Sequence, residues 1–162
     1  MKKILFILVM LGQFSQAQQL VSTSVENKNV LLEEVTAYRC GVCPEGHYIA
    51  KQILNNYPED VVSIRIHANS LANPINGAPD LRSAFGQNIT DEAGVAGQPS
   101  GLINRHAFEE GSISYGKESW SNYANLILDE EVIVNIGATA DINTTNRNLK
   151  LKLRFTTLAV KT

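Results

Sequence analysis

Thr36-Ala37-Tyr38-Arg39-Cys40-Gly41-Val42-Cys43-Pro44-Glu45-Gly46-His47 holds both cysteines of the chain and marks the point where an apolar run gives way to a helical pattern. Upstream, Val30-Leu31-Leu32 and Val35 read as a buried strand. Downstream, Ile49, Ala50, Ile53, Leu54 and Tyr57 recur at helical spacing, and Pro58 ends that helix because proline cannot continue it. The cysteine pair therefore sits at a strand-to-helix turn. Two thiols so spaced can close a small ring at the start of a helix, where unpaired backbone N–H groups and the macrodipole favour a thiolate. Such a dithiol is suited to redox chemistry.

A second strand, Val61-Val62-Ser63-Ile64-Arg65-Ile66-His67, follows the helix. Strand, helix, strand is the βαβ setting in which a C-x-x-C predicts a thioredoxin-like motif. Further on, Gly97-Gln98-Pro99 stands before a short strand, Ser100 to Asn104, as the proline of the thioredoxin fold does. Residues 30–47 together with Gly97-Gln98-Pro99 and Ile103-Asn104-Arg105 resemble the twenty-eight-kilodalton outer-membrane protein family of Bacteroidota. That resemblance covers most of the mature chain and is most specific from Tyr38 to His47. It implies an α/β, thioredoxin-like domain followed by a β-rich region, with a cis Gln98–Pro99 bond in a loop packed against the dithiol. It also implies that the Gln98-Pro99 loop contributes backbone groups to a substrate chain, while Tyr38 reads as an aromatic packing next to the dithiol with a share in substrate contact. Two positions differ from enzymatic thioredoxins: Tyr38-Arg39 stands where a tryptophan precedes the first cysteine, and Gln98 replaces a β-branched residue.

The N-terminus is different in kind. Lys2-Lys3, the apolar run Ile4 to Leu11 and then Ser15-Gln16-Ala17 predict a secretory signal over residues 1–17 and a mature chain from Gln18. The apolar run breaks at Gly12-Gln13, short of the roughly 20 residues a membrane helix needs. No cysteine closes that run, so the signal is not of the lipoprotein kind. The expected location is exported, in the periplasm, the outer membrane or at the cell surface, where a disulfide can persist. With 162 residues and a formal charge of −2, the composition fits one globular domain with an appended piece. Without a basic tract or a Gly-rich phosphate loop, nucleic-acid partners and nucleotide chemistry have no support.

Residues 18–28 read as a linker or edge strand, and the thioredoxin-like domain is expected over 29–130. Within it, Asn69 to Pro79 is rich in Asn, Pro and Gly and forms a long loop. Asp80 is expected to cap a short helix through about Gln87, with a second cap at Thr90. A turn at Glu110-Gly111 is expected between short strands, and Trp120, Tyr123, Ala124, Ile127 and Leu128 define an amphipathic helix. From 131 to 162 the period changes: Val132 to Ile142 and Leu149 to Phe155 alternate as a β-hairpin with one apolar face, the start of a β-sandwich region. A lone two-stranded hairpin is marginal in water. It is expected to self-associate or to be supported by further strands, which would make this a shortened or incomplete family member.

For Cys40 and Cys43 two readings stay open. One is thiol–disulfide exchange with protein dithiols or disulfides, Cys40 acting as nucleophile beside Arg39 and Cys43 as resolving thiol. The other is a structural disulfide in a non-catalytic surface protein, although so short a loop constrains the unfolded chain little. Metal binding by Cys40, Cys43 and His47 together conflicts with geometry. A helix rises about 10 Å over that span, whereas zinc ligands lie within about 2.3 Å of the metal. His67, at the end of its strand, is a conceivable ligand beside the two cysteines. No metal and no cofactor are expected, and His47 and His67 read as polar neighbours that can carry a proton. Association with the outer membrane would need no transmembrane helix. Asn88-Ile89-Thr90 and Asn143-Thr144-Thr145 match glycosylation acceptors only incidentally.

Overall fold

The computed structural model describes residues 21–158, so the predicted secretory signal lies outside the described residues. The described chain falls into two compact units, one of residues 27–131 and one joining 21–26 with 132–158.

The first unit is built on a sheet with strand order β2-β1-β3, where β1 is Val30–Thr36, β2 is Val61–His67 and β3 is Ser100–Ile103. Strands β1 and β2 run parallel, from Val30 opposite Val61 to Thr36 opposite His67. Strand β3 is antiparallel to β1, with Leu32 opposite Ile103 and Val35 opposite Ser100. Backbone bonds between Gly101 and Tyr115 extend the sheet by an isolated bridge.

Strand β1 is central, covered on both faces and buried along nearly its whole length, which explains its continuous apolar reading. Successive residues point to opposite faces. Val30 and Leu32 pack with helix α1 (Cys43–Asn56) and helix α3 (Trp120–Leu128) in a core that includes Ala50, Ile53, Trp120 and Ile127. On the other face Val35 joins Ile66, Ala68 and Leu102 beneath helix α2 (Ala84–Glu92), whose Ile89 packs on that cluster. Parallel βαβ, an antiparallel strand after Pro99 and helices on both faces make this a thioredoxin-like α/β fold.

Two helix boundaries differ from the sequence reading. Asp80 does not cap α2: its carboxylate accepts from the backbone N–H and the guanidinium of Arg82 instead. Ser83 is the cap, its hydroxyl accepting from Gly86 N at 2.9 Å. Thr90 is no second cap but lies inside α2, where its hydroxyl donates to Gly86 O at 2.8 Å. Between β3 and α3 the chain forms bridges in place of short strands: Glu109 opposes Ser112 across a turn where Gly111 takes a positive φ of 76°.

In the second unit β4 (Val134–Ile142) and β5 (Leu149–Thr157) pair antiparallel. The register sets Ile136 against Phe155, Ala138 against Leu153, Ala140 against Leu151 and Ile142 against Leu149, so one face of the ribbon is apolar throughout. Leu151 is 60% exposed and Phe155 64%. Asn135 is buried, its amide donating to the carbonyls of Ser22 and Ser24. No helix among the described residues is long and apolar enough to cross a membrane.

Candidate functional site

Cys40 and Cys43 are joined in a disulfide with Cα atoms 5.4 Å apart. The turn that holds it follows from its residues: Cys40 N–H donates to Ala37 O, Cys43 N–H donates to Cys40 O, and Pro44 then fits the first turn of α1, where a backbone N–H has no helical partner. The two sulfur-bearing residues differ in access. Cys43 is 1% exposed at the start of the helix, whereas Cys40 is half-buried between the exposed Arg39 and Gly41.

The Gln98–Pro99 bond is cis. Pro99 lies against the first turn of α1 at Gly46, where an added Cβ would stand 3.0 Å from the Pro99 Cβ and 3.1 Å from the Trp120 ring. Glycine at 46 is thus what lets the proline loop approach the helix that carries Cys43. Gln98 ties the same loop to the sheet, its amide donating to Ala68 O at 2.8 Å and Thr36 O at 3.3 Å. A β-branched residue there could not make those bonds. Gln98 Oε1 and His67 Nδ1, both buried, have no hydrogen-bond partner among the described residues.

Tyr38 reaches across the turn. Its hydroxyl donates to Pro79 O at 2.9 Å and its ring meets the His67 ring at 5.1 Å. Arg39 is exposed, and its backbone N–H donates to Leu71 O at 3.1 Å. The structure therefore brings Tyr38, Arg39 and His67 together beside the 69–83 loop, while Gln98 and Pro99, just before β3, meet the same end of β1 at Thr36. Burial, followed by the nearby charges of His47 and Arg65, lowers the His67 pKa from 6.5, with Glu34 opposing.

His47 contacts a residue that sequence reasoning missed. Glu34, whose side chain is 0% exposed, turns Oε1 toward His47 Nδ1 and receives Arg65 Nε at 3.3 Å on Oε2. Glu34 Oε1 and His47 Nδ1 have no other partner among the described residues, so each faces only the other. The opposite ring nitrogen of His47 stands 3.4 Å from Thr36 Oγ1. A signal was present: Glu33-Glu34 lies inside the apolar run of β1, and a central strand cannot turn two adjacent acids to solvent. Each found a cation, Glu33 in a fork with Arg105 at 2.6 and 2.7 Å. Among the described residues no group of three His, Cys, Asp or Glu side chains is disposed to hold a metal ion.

Comparison with protein-family models and with curated proteins yields no match. Among solved structures, HBP35 of Porphyromonas gingivalis is similar, with 19% identity and a TM-score of 0.48 over 74% of this chain. The chain covers 38% of that structure's length.

Proposed function

We propose that this chain, which resembles the twenty-eight-kilodalton outer-membrane family in its fold, is an exported thiol–disulfide exchange protein by virtue of its dithiol at a helix N-terminus. It works through Cys40 and Cys43 on protein dithiols or disulfides, in the periplasm, the outer membrane or at the cell surface. The observation that carries this reading is the unequal burial of the two cysteines at the head of α1, one accessible and one enclosed. In the reduced protein the Cys40 thiolate attacks a substrate disulfide; a mixed disulfide forms and one substrate thiolate leaves. The Cys43 thiolate then attacks the Cys40 sulfur, closing the Cys40–Cys43 bond and releasing the second substrate thiolate. The substrate has gained two electrons and the protein has lost two. The reverse sequence oxidises a substrate dithiol.

Cys43 must lose its proton inside the fold before that second step. His47, one helical turn further along α1 and in contact with the buried Glu34, is the side chain we assign to take that proton in its neutral form. Pro99 and Gln98 form the wall against which a substrate chain would lie, with Tyr38 and Arg39 on the other side of the turn.

Equilibration in glutathione buffers, with alkylation of Cys40 followed against pH, tests the proposal. The expected result is a bridge reduced well above about −300 mV, the limit below which structural disulfides lie, with Cys40 reacting before Cys43. A bridge that resists reduction to that potential, or a Cys40 thiol titrating near the free value of about 8.5, would assign the pair to a structural role in a surface protein.

A further inference from the structure

Residues 69–79 contain no charged side chain, and the only two charges in 69–83, Asp80 and Arg82, neutralise one another through direct hydrogen bonds. The segment is nevertheless firmly placed. Arg82 also binds the side chain of Asn73 and bridges His67, so the two ends of residues 73–82 meet, as in a compact Ω-loop. Arg39 N–H holds Leu71 O and Tyr38 holds Pro79 O, which fastens the loop to the residues immediately before Cys40. This fastened, uncharged loop leaves apolar side chains in solvent: Leu71 is 44% exposed, Ile75 49% and Leu81 51%, with Val42 of the dithiol turn at 53%.

We infer that the 69–83 loop is the docking surface for the substrate, and that it takes an extended, uncharged apolar segment flanking the target cysteine of an incompletely folded polypeptide. The inference rests on the exchange reading and names the substrate class for it. A folded partner keeps most of its large apolar side chains inside, whereas this loop, with no net charge, offers Leu71, Ile75 and Leu81 to bind them. A chain that has not yet folded offers apolar residues next to its thiol. The Leu71 carbonyl is bonded to Arg39, the residue before Cys40, and Val42 stands two residues beyond it, so a polypeptide held on the loop has its own cysteine within reach of Cys40.

The test uses short synthetic peptides of one sequence, each with a single cysteine held as its glutathione mixed disulfide and flanked by Leu, Ser or Glu. Reduction by the dithiol form of the protein is followed for each and referred to its rate with glutathione disulfide. Burying one leucine on the loop is expected to favour the Leu peptide over the Ser peptide by about tenfold. In Leu71→Ser/Leu81→Ser, and in Ile75→Ser as an independent variant, that preference should shrink toward one. Equal rates for Leu and Ser peptides, a preference for the Glu peptide, or a preference untouched by these variants would overturn the inference. So would a fall in oligomer mass in the variants, which would make the loop a contact between copies. Failure of exchange is read separately. If glutathione disulfide is not reduced either, the function proposal has failed, and binding of the Cys→Ser peptides to the oxidised protein by fluorescence anisotropy still decides whether the loop prefers Leu.

Discussion

Glu33 and Glu34 are consecutive, almost fully buried and held by different arginines, Arg105 and Arg65, on opposite faces of one strand. A carboxylate in that position is tolerated only while its partner is present, because removing one member leaves an uncompensated charge. Arg105→Ala is therefore expected to destabilise the protein by about 3 kcal/mol, the low end of the range for buried pairs because Arg105 is itself 46% exposed. Urea unfolding checks it; a loss below about 1 kcal/mol would place this pair with ordinary surface bridges. His67 gives a second expectation. Its folded pKa lies below 6.5, so the unfolded chain binds the proton more readily, and stability is complete above that pH and lost as pH falls through the folded value. The groups around it are His47, Arg65, Glu34 and the Tyr38 ring. His67→Gln should flatten stability between pH about 7 and about 5 relative to the parent; parallel curves would assign the acid sensitivity to other groups.

At the scale of elements, β3 lies close against the helix start at Trp120. A Cβ on Gly101 would stand 2.4 Å from Trp120 Nε1, whose N–H donates to Tyr115 O at 2.9 Å. Gly101→Ala must displace either the indole or the strand, and a cost of about 3 kcal/mol is expected from overpacking together with the lost hydrogen bond. Thermal unfolding gives the measurement, and a neutral result would mean that the indole moves freely. The elements themselves were unequally legible. Strands β1 and β2 and helix α1 could be read because each carries an unbroken period, and Pro58 closes the helix. The start of α2 could not: Asp80 and Ser83 are both good caps, and the choice fell to Ser83 because Arg82, two residues beyond Asp80, engages the Asp80 carboxylate while its backbone bridges His67, a tertiary contact that no local pattern announces. The turn with its two cysteines and the proline loop could be located from spacing and resemblance. Glu34 could not, since its partners His47 and Arg65 come from other elements.

At the scale of the whole molecule the two units differ in how they treat apolar residues. In residues 27–131 Leu102 is 0% exposed, whereas Leu151 on the hairpin is 60% exposed. Leu102→Ala is expected to cost about 2–5 kcal/mol and Leu151→Ala within about 0.5 kcal/mol. An exposed apolar ribbon face of this extent also favours association. Mass measured across protein concentration should rise, and Leu151→Lys with Leu153→Lys should suppress the rise; a mass constant in the parent would remove self-association through the hairpin. Trp120 adds one more consequence. It is the single tryptophan of the chain and lies fully buried in the unit that holds the disulfide. Intrinsic emission excited in the indole band is therefore a gauge of that unit alone, blind to the ribbon, whereas far-ultraviolet ellipticity sums both. Superimposed melting curves from the two optical signals would reveal one cooperative transition, and offset curves would time the units separately without any label.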